Sequence, residues 1–182
     1  MTRPADGTPA VIRRATPDDA AAIARMHVQS WRESYGAELP AGALDDVDLD
    51  ARAARWADTL RLDDVHTYVA TVADAVVGFA NASEGRDDDA PVARELEGLY
   101  VLAAHQRGRL GTRLLTAAIG AGDAYLWVWT GNRHALAFYR AHGFSFEGAV
   151  KEVPLAGHPM EVARMVRESA YEEGQVSAKP LA

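Results

Sequence analysis

The stretch LYVLAAHQRGRLGTRLL, residues 99–115, carries the strongest signal for the fold. Its first four residues are apolar, which is typical of a buried strand, and the leucines after the loop recur at helical spacing. The predicted helix begins near Gly108. The first amides of a helix lack partners, and the helix dipole adds positive potential there. The stretch therefore indicates an anion-binding site, to which Arg107 and Arg109 add charge.

Outside this stretch, the period of the apolar pattern changes several times along the chain. The predicted order is β-α-α-β-β-β-α-β-α-β-β, an α/β (α+β) domain with helices flanking a mixed, mostly antiparallel sheet. Residues 67–72 and 76–80 are predicted to form a hairpin. Gly98 interrupts the alternation of the next strand, which indicates a bulge.

Length and composition limit the classes of protein to which the chain can belong. The 182 residues, of which 48% are hydrophobic, have the size of one domain. We place that domain at residues 10–168, between a flexible N-terminus, 1–9, and a polar C-terminal tail, 169–182. The absence of cysteine excludes disulfides, thiolate nucleophiles and cysteine-ligated metals.

The charge distribution argues against several partners. A formal net charge of −7 disfavours a nucleic-acid-binding surface. No segment resembles a signal peptide or approaches the roughly 20 apolar residues of a membrane span, so we expect a cytoplasmic protein without a membrane partner. The histidines lack metal-like spacing, and we expect no metal. Two acidic runs, 45–50 and 87–89, are interpreted as solvated loops, with attraction of a cationic amine as the alternative.

Two segments resemble motifs of the GNAT superfamily of N-acetyltransferases. Residues 99–115 resemble motif A, which has the form Gln/Arg-x-x-Gly-x-Gly/Ala after the fourth strand, and residues 124–144 resemble motif B. Residues 11–35 and 161–167 are also similar to family segments, so the resemblance covers nearly the whole predicted domain. It implies the GNAT fold, with about seven strands and four helices, and acetyl-CoA as the co-substrate.

The resemblance also implies which residues bind acetyl-CoA. In the family, the fourth strand pairs with the pantetheine arm, and the following loop holds the pyrophosphate. Backbone amides around residues 98–101 are expected to polarise the thioester carbonyl. The cofactor-binding residues implied by the two motifs are Leu99, Tyr100, Val101, Gln106, Arg107, Gly108, Arg109, Gly111, Thr112, Asn132 and Phe138.

The sequence departs from motif A at Arg109, where the family usually has glycine. Either the Arg109 side chain points away from the pyrophosphate, or the loop shifts by one residue to use Gly108. The departure also leaves open a second function: an acyl-CoA-binding sensor of GNAT fold with little or no turnover.

Acetyl transfer from a thioester to an amine requires a neutral amine and a proton for the departing thiolate. Tyr139 matches the motif tyrosine, and a phenol with a pKa of about 10 suits a general acid; packing on one helix face is its alternative role. Glu95 and Glu97 share one strand face, and Glu95 matches the general base of histone-type members. Two like charges this close are expected to raise one pKa, as suits a base. A solvent-facing strip and a water relay are the alternatives.

The acceptor is the least determined part of the interpretation. His27, Trp31 and Tyr35 lie in the segment that shapes the acceptor site in the family, although His27 also fits a core position. Similarity in residues 95–102 and 127–144 favours bacterial polyamine acetyltransferases, with an amino acid, an antibiotic amine, and a peptide N-terminus or lysine as alternatives. We predict direct attack in a ternary complex, with which the lack of cysteine agrees. The oligomeric state stays open, with a homodimer as one alternative.

Overall fold

The structure is a computed structural model that describes residues 9–168. The predicted C-terminal tail, and all but the last residue of the predicted flexible N-terminus, lie outside the described residues. The order of helices and strands is the predicted one. The helices are α1 (Ala20–Tyr35), α2 (Leu49–Thr59), α3 (Leu110–Ile119) and α4 (Arg133–Ala141). The strands are β1 (Val11–Arg14), β2 (His66–Val72), β3 (Ala75–Glu84), β4 (Arg94–Val101), β5 (Ala124–Trp129), β6 (Ser145–Leu155) and β7 (His158–Arg167).

The seven strands form one sheet in the order β1-β2-β3-β4-β5-β7-β6. All neighbouring pairs are antiparallel except β4 and β5, which confirms the predicted mixed, mostly antiparallel sheet. The predicted β2–β3 hairpin is also present. Its turn residues Ala73 and Asp74 have φ angles of 46° and 65°, the left-handed conformation that tight hairpin turns require.

The fold opens where the parallel strands β4 and β5 meet. Their ladder consists of one residue pair, Glu95 with Tyr125, and the strands diverge beyond it. On the other side of β4, Asn81 lies opposite Gly98 and Ala82 opposite Leu96. Glu97 is therefore the extra residue of a bulge, and the bulge predicted from Gly98 is confirmed one position earlier in the chain.

Helices cover both faces of the sheet. Side chains of α3 and α4, including Leu114, Leu115 and Leu136, form the core on one face. Residues of α1 and α2 form a second core on the other face, with Ile23 and Trp56 among them. A third cluster joins the α1–α2 connection to β7 through the buried residues Leu39, Leu44 and Met160. This cluster brings the end of α1 close to the β6–β7 hairpin, beside the opening between β4 and β5. The described residues include no helix that combines the length and apolar character of a membrane span.

The loop of residues 85–93 is tied to the sheet by ion pairs. Asp89 accepts two hydrogen bonds from the buried Arg164 at 2.9 and 3.0 Å, and Asp87 pairs with Lys151 at 2.9 Å. The interpretation of residues 87–89 as a solvated run is therefore wrong for Asp87, which is half-buried, whereas Asp88 and Asp89 are exposed. In the other run, the Asp48 side chain accepts a hydrogen bond from the first turn of α2.

Candidate active site

A cleft of about 940 Å³ passes through the opening between β4 and β5. Its walls come from the end of α1, from β4, from the loop before α3 and the first turn of that helix, from α4, and from strands β5 to β7. Its volume falls within the range of about 300–1,000 Å³ that is typical of small-molecule sites. Every residue that the sequence predicted to bind the cofactor lines this cleft except Gly108.

Arg109 precedes α3 in the left-handed conformation, with a φ of 62°. Arg107 also has a positive φ, 65°, whereas Gly108 does not. Gly108 therefore does not supply the left-handed conformation in this loop. Arg109 itself adopts the conformation that favours glycine, at a cost of about 1–2 kcal/mol for a residue with a side chain.

The N-terminus of α3 presents unpartnered backbone donors. The Arg113 amide is the first to bond within the helix, to the carbonyl of Arg109 at 3.0 Å. The amides of residues 110–112 precede it, and no side chain of the described residues caps them. Such amides, together with the helix dipole and the side chains of Arg107 and Arg109, form an anion-binding surface at this end of the cleft.

Gly111 is required for close packing of α3 on α4. A Cβ at this position would lie 3.2 Å from the ring of Phe138, which is closer than side-chain carbons normally approach. The Thr112 hydroxyl and the His142 ring also join these helices at 3.0 Å. Since Thr112 uses its side chain in this contact, its unpartnered donor toward the cleft is the backbone amide.

Two other predicted cofactor residues use their side chains to hold the scaffold. Gln106 donates from Nε2 to the carbonyl of Val101 at 2.9 Å, which fixes the loop to the end of β4. Asn132 accepts a hydrogen bond from the Ala135 amide at 3.0 Å and is the N-cap of α4.

Tyr139 lies on α4 where the helix faces the cleft, and it is 7% exposed. Its ring packs edge-on against Phe138 and Phe144, with centroids 5.4 and 5.7 Å away. Burial raises the pKa of its phenol above the ordinary value, and the neighbouring Tyr100 adds to the shift. The hydroxyl therefore keeps its proton at neutral pH and can act as a proton donor.

Two further tyrosines, Tyr35 and Tyr100, line the same cleft. The oxygens of Tyr35 and Tyr100 are 3.4 Å apart, and burial raises the pKa of Tyr35. The motif comparison assigned Tyr100 to the cofactor and Tyr35 to the acceptor. The sequence did not predict this contact, because 65 positions separate the two tyrosines and nothing in the segment around either residue indicates the other.

Glu97, the bulged residue, directs its carboxylate into a fixed network. It accepts hydrogen bonds from Ser83 Oγ and from Asn81 Nδ2, the latter at 3.1 Å. Asn81 is held in turn by the Thr67 hydroxyl at 2.6 Å, and Arg86 lies 3.5 Å from the carboxylate. Glu97 also lines the cleft, so a residue with a fixed carboxylate borders the opening between β4 and β5.

Glu95 lies outside the cleft lining, although it is two residues from Glu97. It is 3% exposed, forms an ion pair with Arg86 at 2.7 Å and accepts a hydrogen bond from Tyr125 at 3.1 Å. Burial raises the pKa of its carboxyl, but the hydrogen bonds and charge of Arg86 outweigh burial and the net pKa is lowered. The expectation that the glutamate pair would raise a pKa is therefore wrong for Glu95, which stays ionised at neutral pH.

The three predicted acceptor residues differ in position. Trp31 and Tyr35 line the cleft, and His27 does not. The His27 ring is enclosed by aromatic rings, with centroids 4.6 Å from Trp31, 4.9 Å from Phe79 and 4.7 Å from Tyr100. Burial, followed by the charge of Arg52, lowers the pKa of His27 to about 3, so the ring is neutral.

Trp127 and Trp129 also line the cleft, and sequence reasoning did not assign them to it. The available signal is the alternation of β5, which places these two residues on the same face. Within residues 9–168, no group of three or more histidine, aspartate or glutamate side chains is arranged to hold a metal.

The chain belongs to the GNAT acetyltransferase family and is an acyltransferase. The family model described as "Acetyltransferase (GNAT) family" matches residues 26–144, which include the C-terminal part of α1, the opening between β4 and β5, and both motifs. The chain is 28% identical over 147 residues to a probable N-acetyltransferase of Mycobacterium tuberculosis, covering 75% of this chain and 80% of that protein. It is 28% identical over 138 residues to an uncharacterised N-acetyltransferase of Bacillus subtilis, covering 72% and 78% of the two chains.

Solved structures share the fold at lower identity. The PaiA N-acetyltransferase from Thermoplasma acidophilum, crystallised with coenzyme A, aligns with a TM-score of 0.67 and 17% identity over 88% of this chain and 99% of that chain. A ribosomal-protein-alanine N-acetyltransferase from Brucella melitensis aligns with a TM-score of 0.66 and 22% identity over 87% and 99% of the two chains.

Proposed function

We propose that this protein transfers an acetyl group from acetyl-CoA to a primary amine of a small or peptide substrate, by direct attack in a ternary complex. One observation carries the proposal: a single cleft joins an anion-binding helix N-terminus to a fixed carboxylate, Glu97, and a buried phenol, Tyr139. Acetyl transfer requires these groups within one site, because the amine, the thioester and the leaving thiolate must be handled together.

The residues present fit acetyl-CoA. The amides of residues 110–112 and the guanidinium groups of Arg107 and Arg109 suit a pyrophosphate, which accepts hydrogen bonds and carries negative charge. The edge of β4 that faces β5 pairs only at Glu95, so the rest of the edge suits an extended amide-containing arm. The coenzyme A bound by the Thermoplasma acidophilum enzyme supports the same ligand class for this fold.

Acetyl-CoA supplies the acetyl group as a thioester when it is bound. Backbone amides of β4 around the bulge are in place to donate to its carbonyl oxygen, because the bulge removes Glu97 from the ladder and β5 has diverged. Fixed donors that face a developing oxyanion lower the barrier by about 3–4 kcal/mol each in measured cases.

Glu97 is the base in this proposal, directly or through one water. Its carboxylate is held by Asn81 and Ser83, which leaves its position fixed while the substrate amine approaches. A positioned carboxylate can take the proton that the attacking amine loses. Glu95 does not fit this role, because Arg86 and Tyr125 occupy its oxygens and it lies outside the cleft.

Tyr139 is the proton donor to the departing thiolate. Burial keeps its phenol protonated, and it lines the cleft on the side of α4, opposite β4. Tyr35 and Tyr100 share the cleft, but each of their hydroxyl groups already has the other within 3.4 Å.

The test is a free-thiol assay with acetyl-CoA across polyamines, aminoglycosides, amino acids and peptides. Thiol release that depends on one amine class, with initial-rate lines that intersect when both substrates are varied, supports direct transfer in a ternary complex. Parallel lines would indicate an acyl-enzyme and contradict it. Tight binding of CoA without thiol release from any amine would favour the sensor instead.

A further inference from the structure

A second cavity of about 190 Å³ lies beside the cleft, between α2 and the sheet. It is smaller than the roughly 300 Å³ at the lower end of ligand pockets, so it suits one functional group of a ligand that extends into the cleft. Glu97 lines both cavities. The lining of the small cavity is Arg52, Arg55, Trp56, Thr59, Asn81 and Glu97.

Two arginines, Arg52 and Arg55, are among the residues that line this cavity. Arg52 and Arg55 lie one turn apart on α2, and neither forms an ion pair with any of the described residues. The Arg52 guanidinium lies 4.0 Å above the ring of Trp31, which lines the cleft. Its pKa is lowered by burial and by the charge of Arg55, as expected for a cation that lacks an anionic partner.

Buried polar atoms without a partner lie at this cavity, on Arg52, and beside it, on Trp31 and His27. In residues 9–168, the buried side-chain polar atoms without a hydrogen-bond partner are Arg52 Nε, Trp31 Nε1 and His27 Nδ1. The first two can only donate. A buried donor without an acceptor costs about 1–3 kcal/mol, so such groups are rare and call for a ligand or another explanation. The missing acceptor is one that an anionic ligand would supply.

We infer that the acceptor amine carries a carboxylate, which Arg52 and Arg55 bind while its amino group lies at Glu97. The two arginines and the glutamate present opposite charges across one small cavity, and this arrangement complements a zwitterion such as a free amino acid. A polyamine fits less well, because both its ends are cationic and Arg52 and Lys151 already lie over the tryptophan rings of the cleft.

This inference rests on the proposed acetyl transfer and specifies its substrate class. The test compares each amino acid with its amide and with its decarboxylated amine, in the free-thiol assay with saturating acetyl-CoA. We expect the carboxylate form of the preferred acceptor to have a kcat/KM at least 30-fold above that of its amide, with most of the difference in KM. Equal values for the three forms, or higher values for spermidine, would overturn the inference while leaving acetyl transfer intact.

Variants of α2 locate the effect. Arg52→Gln is expected to raise KM for the carboxylate form at least tenfold and to reduce the preference for the carboxylate form over the amide, whereas Arg52→Lys should recover part of that preference. Arg61→Gln is the matched control, since Arg61 is exposed after α2 and pairs with Asp58 at 3.0 Å. An equal loss with both acceptor forms in Arg52→Gln would contradict the assignment, and melting temperatures identify a variant that fails to fold.

Binding distinguishes failure of this inference from failure of the proposed function. If no amine releases thiol, calorimetry with CoA present still compares each amino acid with its amide. Tighter binding of the amino acid, lost in Arg52→Gln, would support the carboxylate site without catalysis. Equal binding of the two forms would contradict it.

Discussion

Glu95 and Glu97 lie two residues apart on β4, yet Glu97 faces the cleft and Glu95 is buried under Arg86. The bulge separates their environments, because it removes Glu97 from pairing with β3 while Glu95 keeps its partners on β3 and β5. The two glutamates therefore have different predicted roles, one in proton transfer and the other in stability.

Glu97→Gln is expected to lower kcat/KM about 100-fold, because a positioned base contributes about 10²–10⁴-fold to proton transfer. The remaining rate should rise with pH, as more of the acceptor amine becomes neutral without help from the enzyme. Initial rates from about pH 6 to pH 10 measure both effects. Glu84→Gln is the control, since Glu84 is exposed at the end of β3. Wild-type rates in Glu97→Gln would show that Glu97 is not the base.

Glu95→Gln is expected to destabilise the protein by about 1–3 kcal/mol, because the buried partners of the carboxylate lose a charged acceptor. Below its melting temperature the variant should keep kcat/KM within about threefold of wild type, well short of the effect of losing a base. Thermal denaturation with matched kinetics checks both statements. A loss of activity equal to that of Glu97→Gln would identify Glu95 as the base.

The same carboxyl predicts a pH dependence of stability. Because the folded-state pKa of Glu95 is lowered, its contribution is fully present above the unfolded-state pKa of about 4.3 and is lost as pH falls through the folded value. Melting temperatures of the wild type should therefore fall more steeply in acid than those of Glu95→Gln. Parallel curves for the two proteins would show that the Arg86 ion pair does not contribute.

Tyr139→Phe is expected to lower kcat at least about tenfold, with CoA affinity nearly unchanged, because it removes a proton donor and leaves the ring packing in place. Because the pKa of Tyr139 is raised, we also expect no loss of activity from ionisation of this phenol at or below about pH 10. Tyr100→Phe is the comparison, since this hydroxyl lines the same cleft and pairs with Tyr35. A larger loss in Tyr100→Phe than in Tyr139→Phe would instead identify the pair of Tyr35 and Tyr100 as the source of the general acid.

Arg109 is tested by two substitutions that remove the same charge. Arg109→Gly relieves the left-handed conformation and Arg109→Ala retains it, so the glycine variant should be about 1 kcal/mol more stable than the alanine variant. Both should raise KM for acetyl-CoA about tenfold, because hydrogen bonds to charged groups contribute about 1.5 kcal/mol or more. Unchanged KM in both variants would show that the Arg109 side chain does not contact the pyrophosphate.

The sequence predicted those features that depend on local pattern. Alternation and helical spacing predicted the order of strands and helices, and Gly98 indicated the bulge. The family motifs predicted many of the residues that line the cleft, because each motif residue has a fixed position on its strand or helix.

The remaining features depend on contacts between distant parts of the chain. Glu95 is distinguished from Glu97 by Arg86 and by Tyr125, which comes 30 residues later. The small cavity beside the cleft forms because α2 packs beside the bulge in β4, and no residue spacing within α2 indicates this packing. The conformation of Arg109 was not predicted for another reason. The left-handed conformation favours glycine, and here an arginine adopts it.

Transfer of acetyl groups from acetyl-CoA to an amine in this cleft can be measured through both of its products. The most direct measurement is the amount of free thiol and of acetylated amine formed in the same reaction, with the product identified by mass spectrometry. We expect the two products to appear in equal amounts and to fall together in Glu97→Gln. Thiol release without acetylated amine, or neither product at concentrations at which CoA is bound, would contradict it.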